Sequence, residues 1–249
     1  MRLAGKKAVV TGASRGMGRH LAEALAAEGA AVALLARPSD ALTAAAAAIE
    51  GACAVGCDIG NRAEVAAAIE QAGRTLGGID ILVNNAVFAT INRIEDLAYA
   101  EVEAQIAVNL AGPIYTCRAA IAWLRKSAGA DIVNISSEGV KLPMPYLSVY
   151  GATKAALEHF TAALRAELRP DLIRVSVLRS GAVAGGSIGR DWDEAKFARF
   201  LDALVKSGHA EMNGANPAPA ELMAEGLIGL LTLPRAVNVD LIELRPTAP

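Results

Sequence analysis

Lys7-Ala-Val-Val-Thr-Gly-Ala-Ser-Arg-Gly-Met-Gly18 is the stretch on which the fold of this chain turns. Lys7 to Thr11 is a short apolar strand. The glycines at 12, 16 and 18 follow at once in a G-x-x-x-G-x-G spacing, and a helical pattern through Leu21, Leu25 and Ala26 runs on to Gly29. Glycine lets a chain turn tightly and lets a ligand approach the backbone. A helix that opens on such a loop presents its first amides to an anion. Strand, glycine loop and helix at the head of a βαβ unit predict a dinucleotide site. Gly12, Ser14, Arg15, Gly16, Met17 and Gly18 are its expected contacts.

Working outward, strands alternate with helices almost throughout. Strands are expected at 31–36, 52–57, 79–83, 131–135, 174–178 and 239–244, and helices at 39–50, 62–76, 149–168, 193–206 and 219–231. A long helical stretch from about Tyr99 to Lys126 is expected to kink at Pro113, which lacks an N–H. Most strands are continuous apolar runs, which predicts a parallel sheet covered on both faces. The fold class is therefore α/β, a parallel sheet covered on both faces in a single domain over residues 1–249. At 53% hydrophobic residues, the 249-residue chain has enough apolar surface for one large core. No run reaches the roughly 18 apolar residues of a membrane helix, and the apolar part of the N-terminus is too short for a signal peptide. A formal net charge of −2 gives no support for nucleic-acid binding. Cys53, Cys57 and Cys117 form no zinc-type spacing, and His20, His159 and His209 are scattered, so no catalytic metal is expected. A reduced, cytoplasmic protein is the simplest reading.

An NAD site usually carries an acid about 20 residues after the glycine loop, for the ribose 2′-hydroxyl. Here the second strand ends Ala36-Arg37, with no carboxylate before Asp40, and Arg15 sits in the loop. Two guanidiniums and no acid suit a 2′-phosphate, so NADP(H) is expected over NAD(H).

A second stretch carries chemistry. Tyr150 and Lys154 are spaced i, i+4 and share a helix face. An ammonium beside a phenol favours the phenolate, so the tyrosine pKa is expected to fall toward neutrality, where it can trade a proton. Ser137 follows the apolar run 131–136, where a sheet presents it at its C-terminal edge. A tyrosine and lysine at this spacing are common in ordinary helices; the rest of the chain gives the pair its meaning.

Taken together, these residues resemble the short-chain dehydrogenase/reductase family along essentially the whole chain. The matching motifs are Thr11-Gly12-x-x-x-Gly16-x-Gly18, Asp58, Asn84-Asn85-Ala86, Asn109, Ser137 and Tyr150-x-x-x-Lys154. The resemblance implies a single-domain Rossmann fold, a doubly wound parallel sheet of seven strands, and hydride transfer between a nicotinamide and a carbonyl or alcohol of a small molecule. Tyr150 is then the acid/base, Lys154 holds the nicotinamide ribose and lowers the tyrosine pKa, Ser137 bonds the reacting oxygen, and Asn109 holds a water in a proton relay. It also implies that Asp58 and Ile59 meet the adenine, that Asn85 and Ala86 line the cofactor, and that Gly181 and Val183 lie at the carboxamide. A catalytically silent sensor or scaffold that binds NADP(H) is the alternative. The tail from Val237 to Thr247 resembles members that form homotetramers, with a dimer as second choice.

Three positions depart from the family pattern. Val87 stands where glycine is usual, and a β-branched residue does not enter left-handed backbone space. Ser180 replaces a proline. Gly185 replaces a threonine near the carboxamide, with Ser187 as a candidate substitute. Ligands of open α/β sheets bind beyond the C-terminal strand edges. The insertion at about 184–217, with Gly185, Gly186, Gly189, Gly208 and Gly214 and the aromatics Trp192, Phe197 and Phe200, is read either as a substrate lid or as a surface helix with a core-facing stripe. Val140, Leu142, Met144 and Tyr146 are candidate pocket walls. Arg179 is a candidate for an anionic substrate group or for an ion pair with a loop acid.

Overall fold

The computed structural model describes residues 1–185, 189, 192–208 and 217–246. Gly186, Ser187, His209, Gly214 and Thr247 lie outside the described residues. The strands are β1 (Lys7–Thr11), β2 (Ala31–Ala36), β3 (Cys53–Gly56), β4 (Ile81–Asn84), β5 (Asp131–Ser137), β6 (Arg174–Ser180), β7 (Val183–Ala184), β8 (Ala218–Pro219) and β9 (Leu241–Leu244). The helices are α1 (Gly16–Ala27), α2 (Asp40–Ala47), α3 (Arg62–Leu76), α4 (Tyr99–Ile106), α5 (Gly112–Leu124), α6 (Ser148–Leu168), α7 (Glu194–Lys206) and α8 (Ala220–Leu231).

Seven strands form one parallel sheet in the order β3-β2-β1-β4-β5-β6-β9. The order reverses between β1 and β4, which is where open α/β sheets bind ligands. The apolar strands bury both faces, as a parallel sheet requires. On one face, Leu21, Leu25, Leu42 and Leu227 from α1, α2 and α8 pack on Val10, Leu34 and Val83. On the other, Val65, Ile69, Leu124 and Leu164 from α3, α5 and α6 pack on Val9, Leu35 and Leu82.

Three local outcomes differ from the sequence reading. The long helix does not simply kink at Pro113; it is divided by a π-helical turn, Ala107–Ala111, before α5 begins. Pro113 offers no N–H to the carbonyl of Asn109 four residues earlier, so the ladder widens and Gly112 donates to Ala107 instead. β5 and β6 each extend two residues beyond the strands expected at 131–135 and 174–178, to Ser137 and Ser180, which pair in register across the two strands. The two ends of the 184–217 insertion are joined by a small parallel pair, β7 with β8, that no sequence pattern announced.

Candidate active site

The loop after β1 is shaped by missing side chains. Gly12 has φ +65°, and a Cβ there would stand 2.7 Å from Ala86 Cα. A Cβ on Gly18 would stand 2.3 Å from the Gly12 carbonyl oxygen. Thr11 ties this loop to the end of β4: its Oγ1 accepts the N–H groups of Asn85 and Ala86, both at 3.0 Å. Asn85 Nδ2 returns a bond to the Thr11 carbonyl at 3.0 Å. The first turn of α1 holds no acid, and Arg15 at its N-cap supplies no side-chain cap. Its leading amides thus suit an anion, and the residues present fit a pyrophosphate. Arg15 is half-buried and Arg37, just past β2, is exposed. Val87 sits in ordinary backbone space; among the described residues only Tyr146 and Leu172 are non-glycines at positive φ. The missing glycine at 87 therefore imposes no backbone strain.

Asp58 is exposed, and its Oδ1 accepts the Gly60 N–H at 2.9 Å; the cap of α3 is Asn61, whose Oδ1 accepts from Ala63 and Glu64. Ile59 is buried.

Ser137, Tyr150 and Lys154 come together at the end of β5. Ser137 hydrogen-bonds the Tyr150 phenol. Tyr150 and Lys154 are 6% and 3% exposed, which decides their electrostatics. Burial pushes the phenol up to about 12, against a smaller opposing effect of Ser137. Burial likewise pulls the Lys154 ammonium down to about 8. The expected lowering of the tyrosine pKa is therefore overturned in the free protein. Lys154 Nζ lies 5.9 Å from the phenol ring centroid and donates to the Ile135 carbonyl at 2.8 Å, so desolvation outweighs its attraction.

Asn109 is fully buried in the π turn. Its Oδ1 accepts the Phe88 N–H, and its Nδ2 donates to the Phe88 carbonyl, each at 2.8 Å. The same Nδ2 reaches Thr153 Oγ1 at 3.2 Å, and Thr153 donates to the Tyr150 carbonyl. The asparagine thus links the loop after β4 to the helix that carries Tyr150.

A family model described as short chain dehydrogenase matches residues 6–196. The chain belongs to the short-chain dehydrogenase family. It is 32% identical over 246 residues to a sorbitol dehydrogenase of Cereibacter sphaeroides, covering 97% of this chain and 94% of that one. A Burkholderia cenocepacia short chain dehydrogenase solved in complex with NADP superposes with TM-score 0.83 at 29% identity, covering 98% of both chains. An L-sorbose reductase of Gluconobacter frateurii, solved with NADPH and L-sorbose, superposes with TM-score 0.85 at 27% identity, covering 98% of this chain and 96% of that one.

Above Tyr150 lies an apolar cluster of Ala89, Ile91, Leu147, Tyr150 and Phe200, with Val87, Met144, Tyr146, Trp192 and Leu204 packed on it. Of the four candidate pocket walls, Met144 and Tyr146 pack on this cluster, whereas Val140 and Leu142 do not belong to it. Trp192 stacks edge-on to Phe200 and donates Nε1–H to the Ala89 carbonyl at 2.8 Å, fastening the insertion over the loop after β4. Tyr146 holds φ +66°, and its carbonyl accepts the Asn92 N–H. Arg179 faces no open site. Its Nε and Nη2 grip Glu158 at 2.9 and 2.7 Å, and Nη1 reaches Glu243 at 3.0 Å. The substrate-anion role is corrected to an ion pair, with partners on α6 and β9 rather than on a loop.

Sequence reading missed a buried polar net beneath the site. Thr116 donates to Asn84 at 2.6 Å, Asn84 to Asn134 at 2.8 Å, and Asn134 to Thr161 at 2.8 Å. It staples α5, β4, β5 and α6 in register. The signal was an asparagine within each of two otherwise apolar strands.

Proposed function

We propose that the protein reduces the carbonyl of a small molecule with NADPH, reversibly as an alcohol dehydrogenase, with Tyr150 as the proton donor. The observation that carries this is the burial of Tyr150, Lys154 and Ser137 side by side at the C-terminal sheet edge, next to a loop fit for a pyrophosphate. The nicotinamide supplies the hydride. The chain's own residues hold the reacting oxygen and supply the proton. A phenol near 12 is neutral at pH 7, so it donates rather than accepts. Lys154, near 8, keeps its charge at pH 7 and stabilises the phenolate left behind. Asn109 spends its side chain on Phe88 and Thr153, so a relay water falls to its main-chain carbonyl, which Pro113 deprives of an α-helical donor.

NADPH is favoured over NADH because Arg37 stands where an acid would repel a 2′-phosphate, and because the Burkholderia and Gluconobacter structures hold NADP and NADPH. Sorbitol dehydrogenase and L-sorbose reductase support a ketone and secondary-alcohol couple as the reacting group. The apolar cluster above Tyr150 favours a substrate with an apolar body, and we read Trp192 and α7, which close over it, as its cover. A homotetramer is proposed on the exposed Leu222 of α8 and Leu241 of the edge strand β9; a monomeric mass in solution removes it. Oxidation of NADPH and of NADH, followed by absorbance across a panel of ketones, tests the activity. Turnover with NADPH is expected, and a clear NADH preference overturns the cofactor assignment.

A further inference from the structure

At the end of the sheet opposite the reacting centre lies a cavity of about 430 Å³. It is framed by the segment before β1, the first residues of β4 and β5, and the end of α8. Its apolar lining is Leu3, Ile81 and Leu231. Asp131 opens β5 and Ser137 closes it, so at about 3.3 Å per residue the two ends are roughly 20 Å apart. The volume falls within the range of small-molecule sites, about 300–1,000 Å³.

The charges of this lining do not balance. Asp131 is its one acid, and both oxygens are taken: Oδ1 accepts from Arg174 Nε at 2.7 Å and Oδ2 from Arg235 Nη1 at 2.8 Å. Arg2 is spent on Glu28. Lys6 has no carboxylate partner among the described residues. Its half-buried ammonium donates once, to the Gly129 carbonyl at 3.0 Å, and keeps two N–H donors. Arg235 comes to the same glycine. A Cβ on Gly129 would stand 3.3 Å from Arg235 Nε, which makes no hydrogen bond among the described residues. An ammonium and a guanidinium thus converge on one residue without a side chain, and no free acid stands with them. Carbonyls at the end of a helix repel anions, but here Arg174 donates to those of Leu231 and Leu233 at 2.9 and 3.0 Å. Cations with unspent donors are the groups that hold carboxylates and phosphates.

We propose that this cavity binds a small organic anion, a carboxylate or phosphate monoester on a short apolar body. The head group lies between Lys6 and Arg235, and the apolar part against Leu3, Ile81 and Leu231. The site is separate from the reductase chemistry and does not depend on it.

Calorimetric titration of the NADPH-saturated protein, in chloride-free buffer, with hexanoate, hexyl phosphate and hexanol tests the site. NADPH is present so that the glycine loop is not what is titrated. One of the two anions at least binds about tenfold or more tightly than hexanol, and the tighter of the two names the head group. Lys6→Met weakens that anion by about tenfold or more, Lys6→Arg by less than about threefold, and NADPH affinity is the same in all three proteins. Three results overturn the proposal: no heat from either anion, hexanol binding as tightly as both, or an anion affinity that Lys6→Met leaves intact.

Discussion

The loop after β1 and the cluster after β5 lie at the same edge of one sheet, yet they are built by opposite means. The loop is made of absences: Gly12 and Gly18 leave room that a single Cβ would fill, and Thr11 fastens the result to Asn85 and Ala86. The cluster is made of burdens: the Tyr150 phenol, the Lys154 ammonium and the Glu138 carboxyl are taken out of water at the end of β5. A surface formed from backbone is complete before its ligand arrives. A set of desolvated ionisable groups is held in place at a cost to stability, and the cost is what tunes its chemistry. Substitutions should therefore separate the two regions by which quantity moves.

Tyr150→Phe gives the largest effect. The ring stays packed against Ala89, Ile91 and Phe200, so the fold and NADPH affinity hold, while single-turnover reduction slows by about 10²- to 10⁴-fold. A loss below tenfold would remove Tyr150 as the proton donor. Lys154→Met comes next, and its sign is unusual. The folded value of about 8 lies below the ordinary 10.5, so between those two values the unfolded chain binds more protons. Wild-type stability therefore rises with pH across that window, and the full penalty applies below it. The methionine carries no charge to desolvate. Its stability relative to wild type should fall by ~3 kcal/mol between pH 8 and 10.5, even though activity is lost throughout. Urea midpoints at the two pH values decide it: a difference that does not change with pH contradicts the desolvation account.

The two regions were also unequally legible. The strand, glycine loop and helix around 7–29 appeared in the sequence because backbone geometry is written in residue type. Tyr150, Lys154 and Ser137 were found by spacing, yet the direction of the tyrosine shift was read backwards. An i, i+4 pair states that two groups share a face and says nothing of how much water reaches them. Burial of Lys154 against the Ile135 carbonyl is a tertiary fact. Arg179 shows the same limit: its partners Glu158 and Glu243 are 21 and 64 residues away in sequence, and only the sheet brings them together. The π turn at 107–111 was half legible, since Pro113 announced a break but not its form.

Gly18→Ala tests the loop by adding what it excludes. The new Cβ meets the Gly12 carbonyl and Asn85 Nδ2, both of them held by β1 and β4, so relief requires a shift of the loop. A destabilisation of about 1–3 kcal/mol is expected, with weaker binding of both NADPH and NADH. A variant as stable as wild type would show that the loop yields, and that the contrast between a rigid cradle and a burdened cluster is overdrawn.

Arg37→Ala has the smallest expected effect and refines the comparison rather than breaking it. Arg37 is exposed and follows β2 directly, so it adds to the cradle the one feature that backbone cannot supply, a charge for a particular phosphate. Its removal should leave thermal stability within about 0.5 kcal/mol of wild type. The KM for NADPH should rise about tenfold, equivalent to ~1.4 kcal/mol, while that for NADH stays level. The split between the two cofactors carries the meaning. A parallel rise for both would place Arg37 among the residues that shape the loop, and discrimination would then have to come from elsewhere. A rise confined to NADPH would show that the backbone cradle binds any dinucleotide and that a single exposed guanidinium chooses between them.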